Sequence, residues 1–141
     1  MNYPAVYALS KRFAPPQIDL RQAQIMDDYG DESWAKLLVN HTLPEDVSHN
    51  ELVYYPHVWG FMGFEDLLFY LYAIATHQSL DHGGEYLDHY LYSLDRFIHE
   101  KWSGISQPER AAIIEGLQWI KNGSPEADWE GCLNLHALLF Q

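Results

Sequence analysis

An all-α, compact single-domain bundle of six or seven helices is what this 141-residue sequence predicts, and three stretches carry that expectation. Phe64 to His77 holds no helix breaker and ten apolar or aromatic residues among fourteen. Wound as a helix it is about 21 Å long and apolar nearly all round, as helices of cores and membranes are. Fourteen residues are too few to span a bilayer, so this helix is expected at the buried centre. Glu85 to Lys101 is amphipathic: Leu87, Tyr90, Leu91, Leu94, Phe97 and Ile98 form one stripe, and Glu85, Asp88, His89, Tyr92, Asp95 and His99 face away from it. Ser106-Gln107-Pro108-Glu109 matches a capping box. It opens a helix that should bury Ile113, Gly116, Leu117 and Ile120 and stop at Gly123.

The remaining elements follow from local signals. Pro4 to Arg12 makes a short helix, with Pro4 suited to its first turn and Pro15-Pro16 beyond its end. Gln17 to Tyr29 is a second helix, placing Ile18, Ile25, Met26 and Tyr29 on one side, with Gly30 closing it. Asp31 is an N-cap for a helix over Glu32 to Val39, where Trp34, Leu37 and Leu38 follow helical spacing. Pro44 starts a short helix over Glu45 to His49. Leu52 to Met62 lacks a partner strand for its Leu-Val-Tyr-Tyr run and reads as an aromatic loop turning at Pro56. Asp81-His82-Gly83-Gly84 is a turn. Ser124-Pro125 leads into a last helix with Trp129, Cys132, Leu133, His136 and Phe140 on one face and Leu135, Leu138 and Leu139 off it.

Composition bounds the function. Hydrophobic content of 48% supports a packed core rather than disorder. At this length the chain buries about 68% of its unfolded surface without metal or disulfide. The single cysteine, Cys132, excludes an internal disulfide and a multi-cysteine zinc site, and fits a reducing compartment. The N-terminus does not read as a signal peptide and no apolar run is long enough for a membrane span, so a cytoplasmic protein is expected. Twenty acidic and eight basic residues give a formal net charge of −12. Thirteen of the acidic residues and only one basic residue, Lys36, lie between Gln22 and Asp95, while the flanks nearly balance. Such a field repels nucleic-acid phosphates and anionic membranes and attracts basic partners.

Catalytic signatures are missing. There is no glycine-rich phosphate loop and no nucleophile elbow. Eight histidines invite a metal reading, but neither the Glu-x-x-His nor the His-Glu-x-x-His spacing occurs. Glu85 with His89 and Asp95 with His99 read as solvated pairs one turn apart. Cys132 and His136 share a face and read as a buried small hydrophobe beside a core histidine. His41 and His57 sit among aromatics and acids, where they could line a pocket or titrate near neutral pH. The adjacent carboxylates Asp31-Glu32, Glu45-Asp46 and Glu65-Asp66 suit helix starts, because neighbouring side chains on a helix diverge. No cofactor and no metal ligand is assigned.

Trp34-Ala-Lys-Leu37, Tyr54-Tyr55-Pro56, and Ile105-Ser-Gln-Pro-Glu-Arg-Ala-Ala-Ile113 leading to Trp119-Ile120 resemble segments of an uncharacterised bacterial family of small acidic helical proteins. The resemblance implies a shared fold and brings no activity with it. In general character the chain is also similar to the immunity proteins encoded beside toxins.

What stands out is an acidic surface. Asp27, Asp28, Tyr29, Asp31 and Glu32 gather four carboxylates and an aromatic ring in six residues, and Asp81, Glu85 and Asp88 form a looser second group. Together they point to a face that docks on a basic protein, with Tyr29 as anchor. Two other classes are consistent with the chain. One is a small-molecule or metal-dependent enzyme using loop histidines and an aromatic pocket over Tyr54 to Phe61. The other is a homo-oligomer joined through its apolar C-terminus.

Overall fold

The computed structural model describes residues 4–82 and 84–140, and among them finds seven α-helices and no strand. They are α1 (Pro4–Arg12), α2 (Leu20–Asp27), α3 (His49–Tyr54), α4 (Phe64–His77), α5 (Leu87–Lys101), α6 (Gln107–Gly123) and α7 (Leu133–Leu139), with short 3-10 turns at Pro44–Asp46, Trp59–Phe61, Gln78–Leu80 and Trp102–Gly104. The predicted all-α bundle with a buried Phe64–His77 helix is what the structure shows.

Helix α4 is enclosed by α1, α5 and α6, while α7 closes the far side against α5 and α6. Nine of its fourteen residues are buried. Each fully buried Leu, Ile or Phe among them contributes roughly 1.5–3 kcal/mol from apolar burial. Covering helices must also satisfy what α4 exposes to them. The buried Ser10 hydroxyl donates to the Leu68 carbonyl at 2.7 Å and accepts from the Tyr72 amide at 3.1 Å. These are backbone groups four residues apart, the pair that α-helical hydrogen bonding joins, so α1 is bonded onto the ladder of α4. On the opposite side the Tyr90 hydroxyl of α5 donates to the Leu67 carbonyl at 2.6 Å. The α1–α6 seam is pinned by the Val6 amide, which donates to Glu115 at 2.8 Å.

Several boundaries differ from the sequence reading, each for a definable reason. Helix α2 starts at Leu20 rather than Gln17, because Asp19 is its N-cap and pairs reciprocally with Gln22. It ends in a Schellman arrangement: the Gly30 amide donates to the Ile25 carbonyl and the Tyr29 amide to the Met26 carbonyl. Tyr29 and Gly30 both carry positive φ, 56° and 90°, so the left-handed turn begins one residue before the glycine.

Glu32–Val39 is not helical. The Asp31 carboxylate instead closes on its own neighbour, accepting from the Ser33 amide and hydroxyl at 2.9 and 2.6 Å. The Ala35 and Leu37 carbonyls are taken by side chains: Arg21 Nε donates to the first at 2.9 Å and the Tyr55 hydroxyl to the second at 2.5 Å.

The expected helix over Glu45–His49 is a 3-10 turn ending at Asp46, and His49 begins α3 rather than ending a helix. Ser48 caps α3 through a box with Glu51, which makes Leu52, Val53 and Tyr54 helical rather than part of a loop. Gly83 of the predicted turn lies outside the described residues. Helix α5 starts at Leu87 instead of Glu85, since Asp81 accepts the amides of Glu85, Tyr86 and Leu87 from outside the helix. The last helix begins only at Leu133. It buries Leu135 and Leu138 and exposes Leu133 and Phe140; of the expected face only Trp129 and Cys132, which precede the helix, are buried.

Gly116 marks a close approach of α1, α4 and α6. A Cβ there would lie 2.9 Å from Val6 Cγ2 and 3.1 Å from Leu71, both fully buried. Gly116→Ala should therefore destabilise the fold by about 1–3 kcal/mol through overpacking. Urea denaturation measures this, and an unchanged midpoint would contradict the close contact of α1, α4 and α6.

Candidate functional site

The acidic segment is built on the end of α2. The Schellman turn, the Asp31–Ser33 closure, the Arg21 bond to Ala35 and the Tyr55 bond to Leu37 fix its backbone at four points between residues 25 and 37. Ala35 is its inward anchor and is fully buried. With Ala35 inside, Trp34 and Leu38 are turned outward, 73% and 74% exposed, and Met26 and Tyr29 are exposed as well. Helical spacing groups Trp34 with Leu37 and Leu38, and the absence of that helix removes their common face. Asp27, Asp31 and Glu32 are exposed beside them and Asp28 is half-buried. Gln24 donates to Asp28 at 3.0 Å. The Ser33 hydroxyl, and after it the Ser33 amide, holds the Asp31 carboxyl below the ordinary carboxylate range. It stays ionised into acid. The outcome is a surface of four carboxylates interleaved with two exposed aromatic rings, of which Trp34 had been missed.

The second predicted group is different in kind. Asp81 is occupied by three backbone amides at the start of α5. Asp88 accepts the Asp128 amide at 3.0 Å and thereby ties down the loop before α7. Glu85 is exposed. Asp81 and Asp88 line one cavity of about 360 Å³ with His82 and Glu126, and none of Asp27, Asp28, Asp31 or Glu32 reaches it. No hydrogen bond joins the two groups among the described residues. Asp81 and Asp88 are structural caps first.

The histidines also sort by environment. His41 is buried, with Nδ1 2.8 Å from the Tyr70 hydroxyl and Nε2 3.1 Å from Glu51 Oε1. The Leu20 amide donates to the same Tyr70 oxygen at 3.1 Å. With Tyr70 donating to Nδ1, the chain of donors runs from Leu20 through Tyr70 to His41 and on towards Glu51. The His41 N–H points off the line to the carboxylate, so that last contact is electrostatic rather than a formed hydrogen bond. This network joins α2, α3 and α4 inside the core. His57 packs on His89 with ring centroids 4.1 Å apart, which takes His89 away from Glu85. Asp95 is committed to the start of α7, accepting from the Leu135 amide at 2.9 Å and from Asn134 at 3.1 Å, rather than to His99. Among the described residues no group of three or more His, Cys, Asp or Glu side chains is placed to hold a metal ion. Tyr55, Val58 and Trp59 fill the core rather than enclosing a pocket. Cys132 is buried, and burial, then Asp95, pushes its thiol up to about 12, the opposite of nucleophile activation.

A cleft of about 820 Å³ lies at the other side of α4, where the ends of α1 and α5 meet the starts of α4 and α6. Sequence reading recorded Arg12 and Lys101, which line it, only as charges of the balanced flanks. No helix of the described residues is long and apolar enough to cross a membrane. No protein-family model, characterised protein or solved structure matches the chain.

The titrating groups give a pH signature. Burial first, then the neighbouring imidazole (His49 for one, His57 for the other), holds His77 and His89 below the ordinary 6.5. Asp46, bonded by the Leu43 amide and the Thr42 hydroxyl, is held with Asp31 below 3.8. In all four the unfolded chain binds the extra proton, so stability falls as protons are added. The histidine contribution is complete above pH 6.5 and is lost as pH drops through the lowered folded values; the aspartate contribution is lost below 3.8. The melting temperature should show both falls. The pair His77→Gln and His89→Ala should flatten the first, and an unaltered slope in that variant would refute the assignment.

Proposed function

We propose that this chain is an acidic protein-binding module that occludes a basic protein partner, in the manner of an immunity or antitoxin-like protein. The observation that carries the reading is the exposure of Tyr29 and Trp34 among Asp27, Asp28, Asp31 and Glu32 on a backbone pinned from both ends. Tyr and Trp are the residue types that most often dominate binding energy when desolvated at the centre of an interface. Carboxylates around them accelerate encounter with a positive surface and reject negative ones. Because the segment is already bonded in place, little ordering entropy is lost on docking. A nuclease-like partner, whose cleft is built to receive phosphates, would meet carboxylates there instead.

Tyr29 adds a second argument. A non-glycine residue in the left-handed region costs about 1–2 kcal/mol, and glycine is the usual occupant of this helix-terminating position. An exposed tyrosine there is unfavourable for the fold and explicable for a contact.

The test is capture from native lysate followed by titration of whichever basic protein is retained. Affinity should fall steeply with salt, and Tyr29→Ala with Trp34→Ala should weaken it by about 30-fold or more, the size of one strong anchor. Reversal of Asp27, Asp28, Asp31 and Glu32 to Lys should abolish capture, whereas reversal of the exposed Glu126 and Glu130 should not. Tyr29→Gly should leave stability unchanged or raised by up to about 1 kcal/mol while binding is lost. Equal affinity in the four-charge reversal would end the proposal.

A further inference from the structure

We infer that the cleft between α1, α4, α5 and α6 binds a small amphipathic monocarboxylate, a molecule with an aromatic or aliphatic body and one anionic end. Its volume, about 820 Å³, lies within the range of roughly 300–1,000 Å³ typical of small-molecule sites. The floor is apolar and only half covered. Phe64 and Phe97 lie with ring centroids 5.7 Å apart and tilted by 35°, and Phe13 completes the wall; all three are half-buried. An apolar ligand body would remove this surface from water.

The polar rim selects the sign of the head group by which of its groups still have bonding capacity. Asp66 already accepts the Gln17 and Gly63 amides, and Glu109 accepts the Ser106 hydroxyl at 2.7 Å. Glu65 is exposed on the rim, where it can turn to water. The cations are less engaged. No carboxylate lies within ion-pair distance of Lys101 among the described residues, and Arg12 meets Glu109 only at 3.8 Å with 61% of its side chain exposed. The Arg12 guanidinium lies over Phe13, 5.6 Å from the ring centroid, and its long contact with Glu109 is not a hydrogen bond, so its N–H groups retain donors for a planar carboxylate. Two of the chain's eight basic residues are thus brought to one cleft of mixed polar and apolar lining by helices distant in sequence. Each would complement its own helix terminus in any position; sharing a cleft is not required for that. A net charge of −12 disfavours multiply charged anions, so a single carboxylate carried by an apolar body is the fitting class.

The experiment is a titration of the full-length, uniformly ¹⁵N-labelled protein with 3-phenylpropionate, followed by amide chemical shifts, with 3-phenylpropionamide as the uncharged control. Saturable shifts confined to residues 12–17, 63–68 and 97–109 are expected, together with binding of the amide weaker by about tenfold. Arg12→Glu combined with Lys101→Glu should abolish the carboxylate shifts in a spectrum that otherwise still shows the native fold. No saturable shift at millimolar ligand would overturn the inference. So would equal affinity for acid and amide, or undiminished binding by the charge-reversed variant. None of these readouts involves Tyr29 or Trp34, so the docking proposal stands or falls separately.

Discussion

Enclosing α4 is the constraint from which the other contacts follow. A helix with apolar side chains on nearly every side has no face to give to solvent, so α1, α5 and α6 must surround it. Close approach brings the backbone polar groups of α4 under cover as well, and those need partners of defined geometry. Ser10 and Tyr90 supply them, while the Tyr70 hydroxyl of α4 itself is met by the Leu20 amide and His41. The buried hydroxyls are therefore not decoration of an oily core. They set the axial position of α1 and α5 against α4, which apolar contact alone, being non-directional, would leave loose.

The negative charge divides into two populations with different work. Asp19, Asp46, Asp66, Asp81, Asp88, Asp95, Glu51 and Glu115 all accept backbone amides and hold helix starts or loops. Anions suit those positions because the amides at helix starts are unpaired and carry positive potential. These carboxylates close the short connections of a chain that has no disulfide. Asp27 and Glu32, by contrast, are exposed and accept no hydrogen bond from the described residues. Only this second population has its full charge available to an external partner. The formal charge of −12 thus overstates how much of the acidic surface is uncommitted.

How much of this was legible in the sequence depends on the range of the deciding interaction. Helices α1, α4 and α6 were readable because their determinants are local: Pro4 at the start of one, the apolar run of another, Ser106 and Gly123 at the ends of the third. The Ser48–Glu51 box was equally local and could have revealed α3. The segment after Asp31 was not readable, since Trp34, Leu37 and Leu38 satisfy helical spacing while Arg21 and Tyr55 decide the outcome from elsewhere in the chain. The start of α7 depends on Asp95, forty positions from the Leu135 amide it accepts. For the site, charge density singles out Asp27 to Glu32, of which Asp27, Asp31 and Glu32 are exposed and Asp28 is half-buried. That Asp81 and Asp88 accept backbone amides was not readable, because a bonded carboxylate and a free one look alike until the amides they meet are known.

The same competition that removes a helix creates the exposed surface. In a helix over Glu32 to Val39, Trp34 and Leu38 would be one turn apart on a single face, and burying that face would hide both. Once side chains take the Ala35 and Leu37 carbonyls, the backbone leaves helical geometry, Ala35 becomes the inward residue, and both large side chains point away from the core. Exposing a tryptophan forfeits roughly as much favourable burial as a core aromatic provides. Holding Tyr29 left-handed adds a cost beside a glycine that would bear it more cheaply. Two unfavourable placements on one hydrogen-bonded segment, both aromatic and both set among carboxylates, are hard to account for by folding alone. The proposed docking, in which a partner covers those rings, would account for both.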